Sequence, residues 1–181
     1  MKAYAGIGSR STPELVLLDM QAFAVRLSYL GFTLRSGGAE GADTAFEKGA
    51  LDARRHGDKR ELSLPEIYLP WAKFGNRPSI DISTLRTQPQ AEAFAIAGQF
   101  HPAWARCSGA AQRLHARNVH QILGPDVTDP ILSKFVICWT KDGMGGGGTG
   151  QALRIAKHYG VPTFDLARQA DVDRIVKGLL S

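Results

Sequence analysis

The chain has 181 residues and a mass of 19.6 kDa, enough for one domain with a sizeable core, and its 44% hydrophobic and 22% charged residues argue against disorder. No run of about 18 apolar residues is present and Met1-Lys2 leads straight into a strand-like stretch, so neither a membrane span nor a signal peptide is expected and a cytoplasmic location follows. The net charge of +5 and pI near 9.4 favour anionic partners without specifying one, and the basic cluster Arg54-Arg55-His56 with Lys59-Arg60 reads as a solvated helix end.

Ala3 to Gly8 reads as a short buried strand entering a Gly/Ser turn, Gly8-Ser9-Arg10. Thr12-Pro13-Glu14 then predicts a helix start, with Thr12 as N-cap, Pro13 at the first helical position and an acid in the first turn. Leu15, Leu18, Ala22, Val25 and Leu30 continue it with roughly i, i+3, i+4 spacing, and Gly31 closes it. Phe32-Thr33-Leu34 is the second strand. The stretch Arg35-Ser36-Gly37-Gly38-Ala39-Glu40-Gly41-Ala42-Asp43 follows as a strand-to-helix turn of the kind that binds anions in open α/β folds. A second helix covers Ala42 to Ala53, and the βαβα order predicts an α/β fold with a mainly parallel sheet.

Glu66 to Trp71 reads as a third strand, and Ala72 to Ser83 as a loop long enough to suggest function. Pro89 to Gly98 is an alanine-rich helix broken by His101-Pro102. Ser108 to Leu123 is another, with Ala111, Leu114, Val119, Ile122 and Leu123 roughly on one side and Gly124-Pro125 ending it. Phe135 to Trp139 is the strongest strand, as a central parallel strand requires. It feeds a tract from Gly143 to Gly150, followed by a helix from Gln151 to Tyr159, a strand from Val161 to Leu166 and a closing helix from Asp171 to Leu180. With no repeat and no linker, residues 1–181 form a single expected domain, with an extended segment at about 71–105.

Gly145 to Gly148 are costly, since each ordered glycine forfeits about 0.5–1 kcal/mol against alanine. A phosphate cradle explains them: Gly147, Gly148, Thr149 and Gly150 precede a helix with a hydroxyl and several N–H groups available to oxygens. Arg10, beside its own Gly/Ser turn, suits bidentate phosphate contact. No Lys-Ser or Lys-Thr follows the glycines, so this is not a Walker A site, and Gly6-Ile7-Gly8 lacks the third glycine of the dinucleotide fingerprint. His101, His115 and His120 are too irregularly spaced for a metal site, because His115 and His120 diverge on a helix; no metal and no cofactor are expected. Cys107 and Cys138 read as buried free thiols. Trp71 and Phe74, with Lys73 and Arg77, are the residue types that stack bases in single-stranded nucleic-acid grooves; Trp104 reads as core. No nucleophile triad can be placed.

Gly8-Ser9-Arg10, the run from Ser36 to Ala45 with Gly49-Ala50-Leu51, Arg117-Asn118 and Gly147-Gly148-Thr149-Gly150 occur in an order that resembles the Rossmann-like core of the DprA (Smf) recombination mediators. More broadly the chain is similar to the SLOG superfamily, which includes the YspA/YpsA-like proteins and the lonely-guy phosphoribohydrolases. The resemblance implies a Rossmann-like three-layer sandwich, with Gly8, Ser9, Arg10, Ser36, Gly37, Gly38 and Gly41 bordering an anion pocket. Gly147, Gly148, Thr149 and Gly150 would hold phosphate. Asp43 would fix the second helix start, a role its first-turn position also supports, and Arg117 and Asn118 match a pair preceding the central strand. The lonely-guy enzymes carry an acid three residues after the motif threonine, where this chain has Ala152, which turns the expectation from hydrolysis towards binding. Glu40 or Asp142 would supply the carboxylate of a nucleotide N-glycosidase, the enzyme alternative; a non-catalytic interaction protein is another. The expected partner is a phosphorylated nucleotide or single-stranded DNA, and a homodimer is the assembly such relatives suggest.

Overall fold

Along β1 (Lys2–Gly6) side chains alternate between two cores, Tyr4 entering one and Ala5 the other, as a strand buried on both faces requires. The computed structural model describes residues 2–57, 62–76, 84–86 and 89–180. With β2 (Phe32–Ser36), β3 (Glu66–Tyr68), β4 (Thr84–Arg86), β5 (Val136–Cys138) and β6 (Thr163–Asp165), β1 forms a sheet of order β4-β3-β2-β1-β5-β6. All of its pairings are parallel. Helices α1 (Glu14–Tyr29), α2 (Ala42–His56) and α6 (Gln169–Leu180) cover the face carrying Tyr4, Leu34 and Ile137; α3 (Ala91–Gln99), α4 (Gly109–Leu123) and α5 (Gly147–His158) cover the face carrying Ala5, Val136 and Cys138. This is the expected Rossmann-like three-layer α/β sandwich. Among the described residues no helix is long and apolar enough to cross a membrane.

The sheet grows from β1 towards β2 on one side and towards β5 on the other. The loops leaving β1 and β5 therefore diverge to opposite faces and leave a crevice at their carboxyl ends, the topological switch point where ligands bind in open α/β sheets.

Several sequence expectations change. The stripe on α1 faces outward: Leu15, Leu18 and Leu30 are 77%, 54% and 40% exposed, whereas Met20, Ala24 and Leu27 are buried. The cause is close packing of α1 on α2, where a Cβ on Gly49 would lie 2.3 Å from the Gln21 carbonyl oxygen, so small residues rather than leucines occupy the seam. Thr12 does not cap α1; its hydroxyl donates back to the Ser9 carbonyl at 2.7 Å, and Pro13 precedes the first helical residue. β5 is interior but not central, lying between β1 and β6. Cys107 is half-buried rather than buried, and both thiols are free. The loop expected over 72–83 contains the short 3-10 turn Phe74–Asn76 before leaving the described residues, and the edge strand β4 was not anticipated.

Arg35, expected in the anion turn, belongs to β2 and is fully buried on the sheet. Its Nε donates to Glu66 Oε2 at 2.8 Å, its Nη1 donates to the Ile131 carbonyl at 2.5 Å, and the Tyr68 hydroxyl donates to the same Glu66 oxygen at 2.5 Å.

Candidate functional site

The crevice at the β1/β5 switch is a cavity of about 620 Å³. The turn after β1 contributes Gly8, Ser9 and Arg10; α2 contributes Asp43; α4 contributes Arg117 and Asn118; and the first turn of α5 contributes Gly147, Gly148 and Thr149. Ser36, Gly37, Gly38, Gly41 and Gly150 stand behind these and shape them. Ser36 Oγ donates to the Gly6 carbonyl at 2.7 Å, joining the ends of β2 and β1. Gly38 lies near the turn at Gly75, and Gly41 precedes the first residue of α2. A Cβ on Gly37 would fall 1.1 Å from Arg117 Nη1, so only glycine lets the guanidinium cross this turn. A Cβ on Gly150 would fall 1.9 Å from the Gly145 carbonyl oxygen, so the tract folds back on its own helix start. For that reason α5 begins four residues before the expected Gln151, inside the glycines.

Arg117 and Asp43 are both buried and paired across the crevice, Nη1 to Oδ2 at 2.9 Å, and the Ala39 N–H donates to the same carboxylate oxygen at 3.2 Å. Asp43 is thus both a helix-start group and the anchor of a buried cation. Asn118 donates to the Gly148 carbonyl at 3.2 Å and to Gln151 Oε1 at 3.1 Å, tying α4 to α5. On the far side, the Asp165 carboxylate accepts from the Thr140 N–H at 3.1 Å and from its hydroxyl, and that hydroxyl oxygen accepts from the Gly145 N–H at 3.0 Å. The glycine tract is therefore suspended from β6 through Thr140. Thr140 and Lys141, which line the cavity, escaped sequence reading because a lone threonine after a strand carries no local signal.

The electrostatics favour an anion. Neither α2 nor α5 has a side-chain cap, so the first-turn N–H groups make each helix start a partial positive charge, with the Thr44 N–H of α2 bonded to the Ala39 carbonyl at 3.1 Å. Among the described residues the charged lining comprises three cations, Arg10, Arg117 and Lys141, and one carboxylate, Asp43, already paired. Arg10 and Lys141 are exposed and have no ion-pair partner among the described residues. His115 also lines the cavity; burial, and then the neighbouring His101 ring, push its pKa below the ordinary histidine value.

Other candidates lie elsewhere. Glu40 and Asp142 are exposed and do not line the cavity. Trp71 and Phe74 meet edge to face at 5.2 Å and pack against the core beneath α1 and α2; Arg77 lies outside the described residues. His120 is buried against Tyr68, its Nδ1 bonded to the Gly124 carbonyl at 3.0 Å. His101 and His115 instead meet each other and Cys107, a grouping the sequence reading did not anticipate.

No family profile matches the sequence, and no curated protein matches it. Solved structures do resemble it. DNA processing protein A from Helicobacter pylori, which binds single-stranded DNA, superposes with a TM-score of 0.55 at 18% identity over 98% of this chain and 73% of its own. The Moco carrier protein of Chlamydomonas rheinhardtii superposes with a TM-score of 0.53 at 16% identity over 98% of this chain and 83% of its own. The chain therefore shares the Rossmann-like α/β fold of DNA processing protein A and of the Moco carrier protein.

Proposed function

We propose that the switch-point crevice binds a phosphorylated nucleotide unit, free or within single-stranded DNA, and that the protein serves DNA processing or nucleotide sensing through this binding. The observation that carries the reading is the charge balance of the lining among the described residues: two helix starts without side-chain caps, Arg10 and Lys141 without an ion-pair partner, and the one carboxylate neutralised by Arg117. The cavity of about 620 Å³ lies within the 300–1,000 Å³ usual for small-ligand sites. Single-stranded DNA binding by the Helicobacter pylori protein of the same fold supports the polymeric form of the ligand. Among the described residues the lining holds no unpaired carboxylate, which favours binding over glycosidic cleavage, a reaction that needs an acid at the scissile bond.

Fluorescence anisotropy with a labelled oligothymidylate, and thermal shift with nucleoside monophosphates, test the reading. A bound single strand should lose affinity with salt at a slope of about 0.7 per phosphate neutralised in a log–log plot. A mononucleotide should raise the melting temperature by mass action with a shallow salt dependence. Arg10→Ala and Lys141→Ala should each weaken either ligand about tenfold, the value of one charge-assisted contact of about 1.4 kcal/mol. Unchanged affinity in both variants, or release of free base from the monophosphates, overturns the assignment.

A further inference from the structure

The connection between α3 and α4 gathers a second constellation. His101 follows α3, Cys107 follows the 3-10 turn Trp104–Arg106, and His115 sits in the second turn of α4. We infer that His101, Cys107 and His115 form a zinc-type metal site in which two imidazole nitrogens and a thiolate take three positions of a tetrahedron and leave the fourth to an exchangeable ligand.

The metal-binding atoms of the trio all lie within 4.8 Å of one another. Cys107 Sγ is 3.5 Å from His101 Nδ1, and a tetrahedral zinc with bonds of about 2.3 Å to sulfur and 2.0–2.1 Å to nitrogen separates such ligands by about 3.6 Å. The Ala103 N–H donates to that Nδ1 at a long 3.2 Å, so the nitrogen is unprotonated and a metal would take its lone pair in place of this hydrogen bond. His115 Nδ1 is buried and has no hydrogen-bond partner among the described residues, an orphan that native interiors rarely keep. The two rings approach to 4.3 Å between centroids at 51°, which sets them side by side around a shared centre rather than in a stack. Among the described residues the thiol's hydrogen-bond contacts are to the His101 ring and, at 3.6 Å, to the Ala103 carbonyl. The scaffold is fixed without a metal: the N–H groups of Arg106 and Cys107 donate to Ala103 and Trp104 carbonyls, each at 3.0 Å, and Gln112 on α4 reaches the Trp104 carbonyl at 3.4 Å. A donor set of two imidazoles and one thiolate, with no carboxylate, selects zinc and its analogues over magnesium or calcium. His115 also lines the crevice, but the site stands or falls independently of phosphate binding.

Titration of the reduced full chain with Co(II) tests the proposal. One equivalent should produce a thiolate-to-cobalt charge-transfer band and the visible bands of a tetrahedral ion, and Zn(II) should displace them. Cys107→Ser should abolish the charge-transfer band. His115→Ala should weaken binding by more than the roughly 10–100-fold that loss of an outer-shell partner costs. Cys138→Ser should change nothing, because that thiol lies in the core on β5 and burial pushes its pKa well up. No band at one equivalent, or a band that Cys107→Ser retains, overturns the site. A zinc-edge absorption spectrum of the unsubstituted protein reads the ligand set directly, whatever the variants do to folding: one sulfur and two imidazoles support it, and a shell without sulfur overturns it.

Discussion

The atom that a Cβ on Gly37 would displace is Nη1 of Arg117, the same nitrogen that donates to Asp43 at 2.9 Å. Gly37→Ala therefore acts through the ion pair: the methyl group must drive the guanidinium off its carboxylate. A destabilisation of about 1–3 kcal/mol is expected, the range for forcing extra volume into a packed site. In an Asp43→Ala background the guanidinium is no longer tethered, and the same change should cost markedly less. Denaturation of the wild type, both single variants and the double variant measures this coupling, and additive effects would show that Gly37 and Asp43 act separately.

At the level of elements, the β2–β3 pairing is stapled by Arg35 and Glu66, a charged pair inside a sheet. Removing one partner of a buried pair strands the other, so Glu66→Ala should destabilise by about 3–5 kcal/mol, read as a lower urea midpoint at unchanged m-value. A buried arginine in a strand is invisible to periodicity, and Arg35 was accordingly expected in the turn. The turns themselves were legible. Glycines, helix-start residues and apolar strands are local signals, and Gly8 to Arg10, Asp43 and Gly147 to Thr149 do share one crevice. The outward stripe of α1 was misleading because the α1–α2 seam is set by Gly49 and Ala24, whose smallness carries no hydrophobic pattern. β4 has only the three residues Thr84–Arg86 and no apolar run to announce it. The His101, Cys107 and His115 grouping depends on how the α3–α4 connection folds back on α4, which residue spacing alone does not encode.

For the whole molecule, the two cores are separated by the sheet, with α1, α2 and α6 on one side and α3, α4 and α5 on the other. Asp43 belongs to the first layer and Arg117 to the second, so their ion pair passes around the carboxyl edge of the sheet and fastens one layer to the other. The crevice is consequently not a pocket within either layer; it exists only while both are assembled in register. Arg117→Leu should uncouple them: native-state hydrogen exchange should resolve α4 and α5 opening at lower free energy than α1 and α2, where the wild type opens the two sets together. Equal protection in the variant would show that the sheet alone joins the layers. Arg117 and Asp43 thus work as a clasp between the layers, and a ligand that binds only while the clasp is closed would stabilise both layers together by mass action.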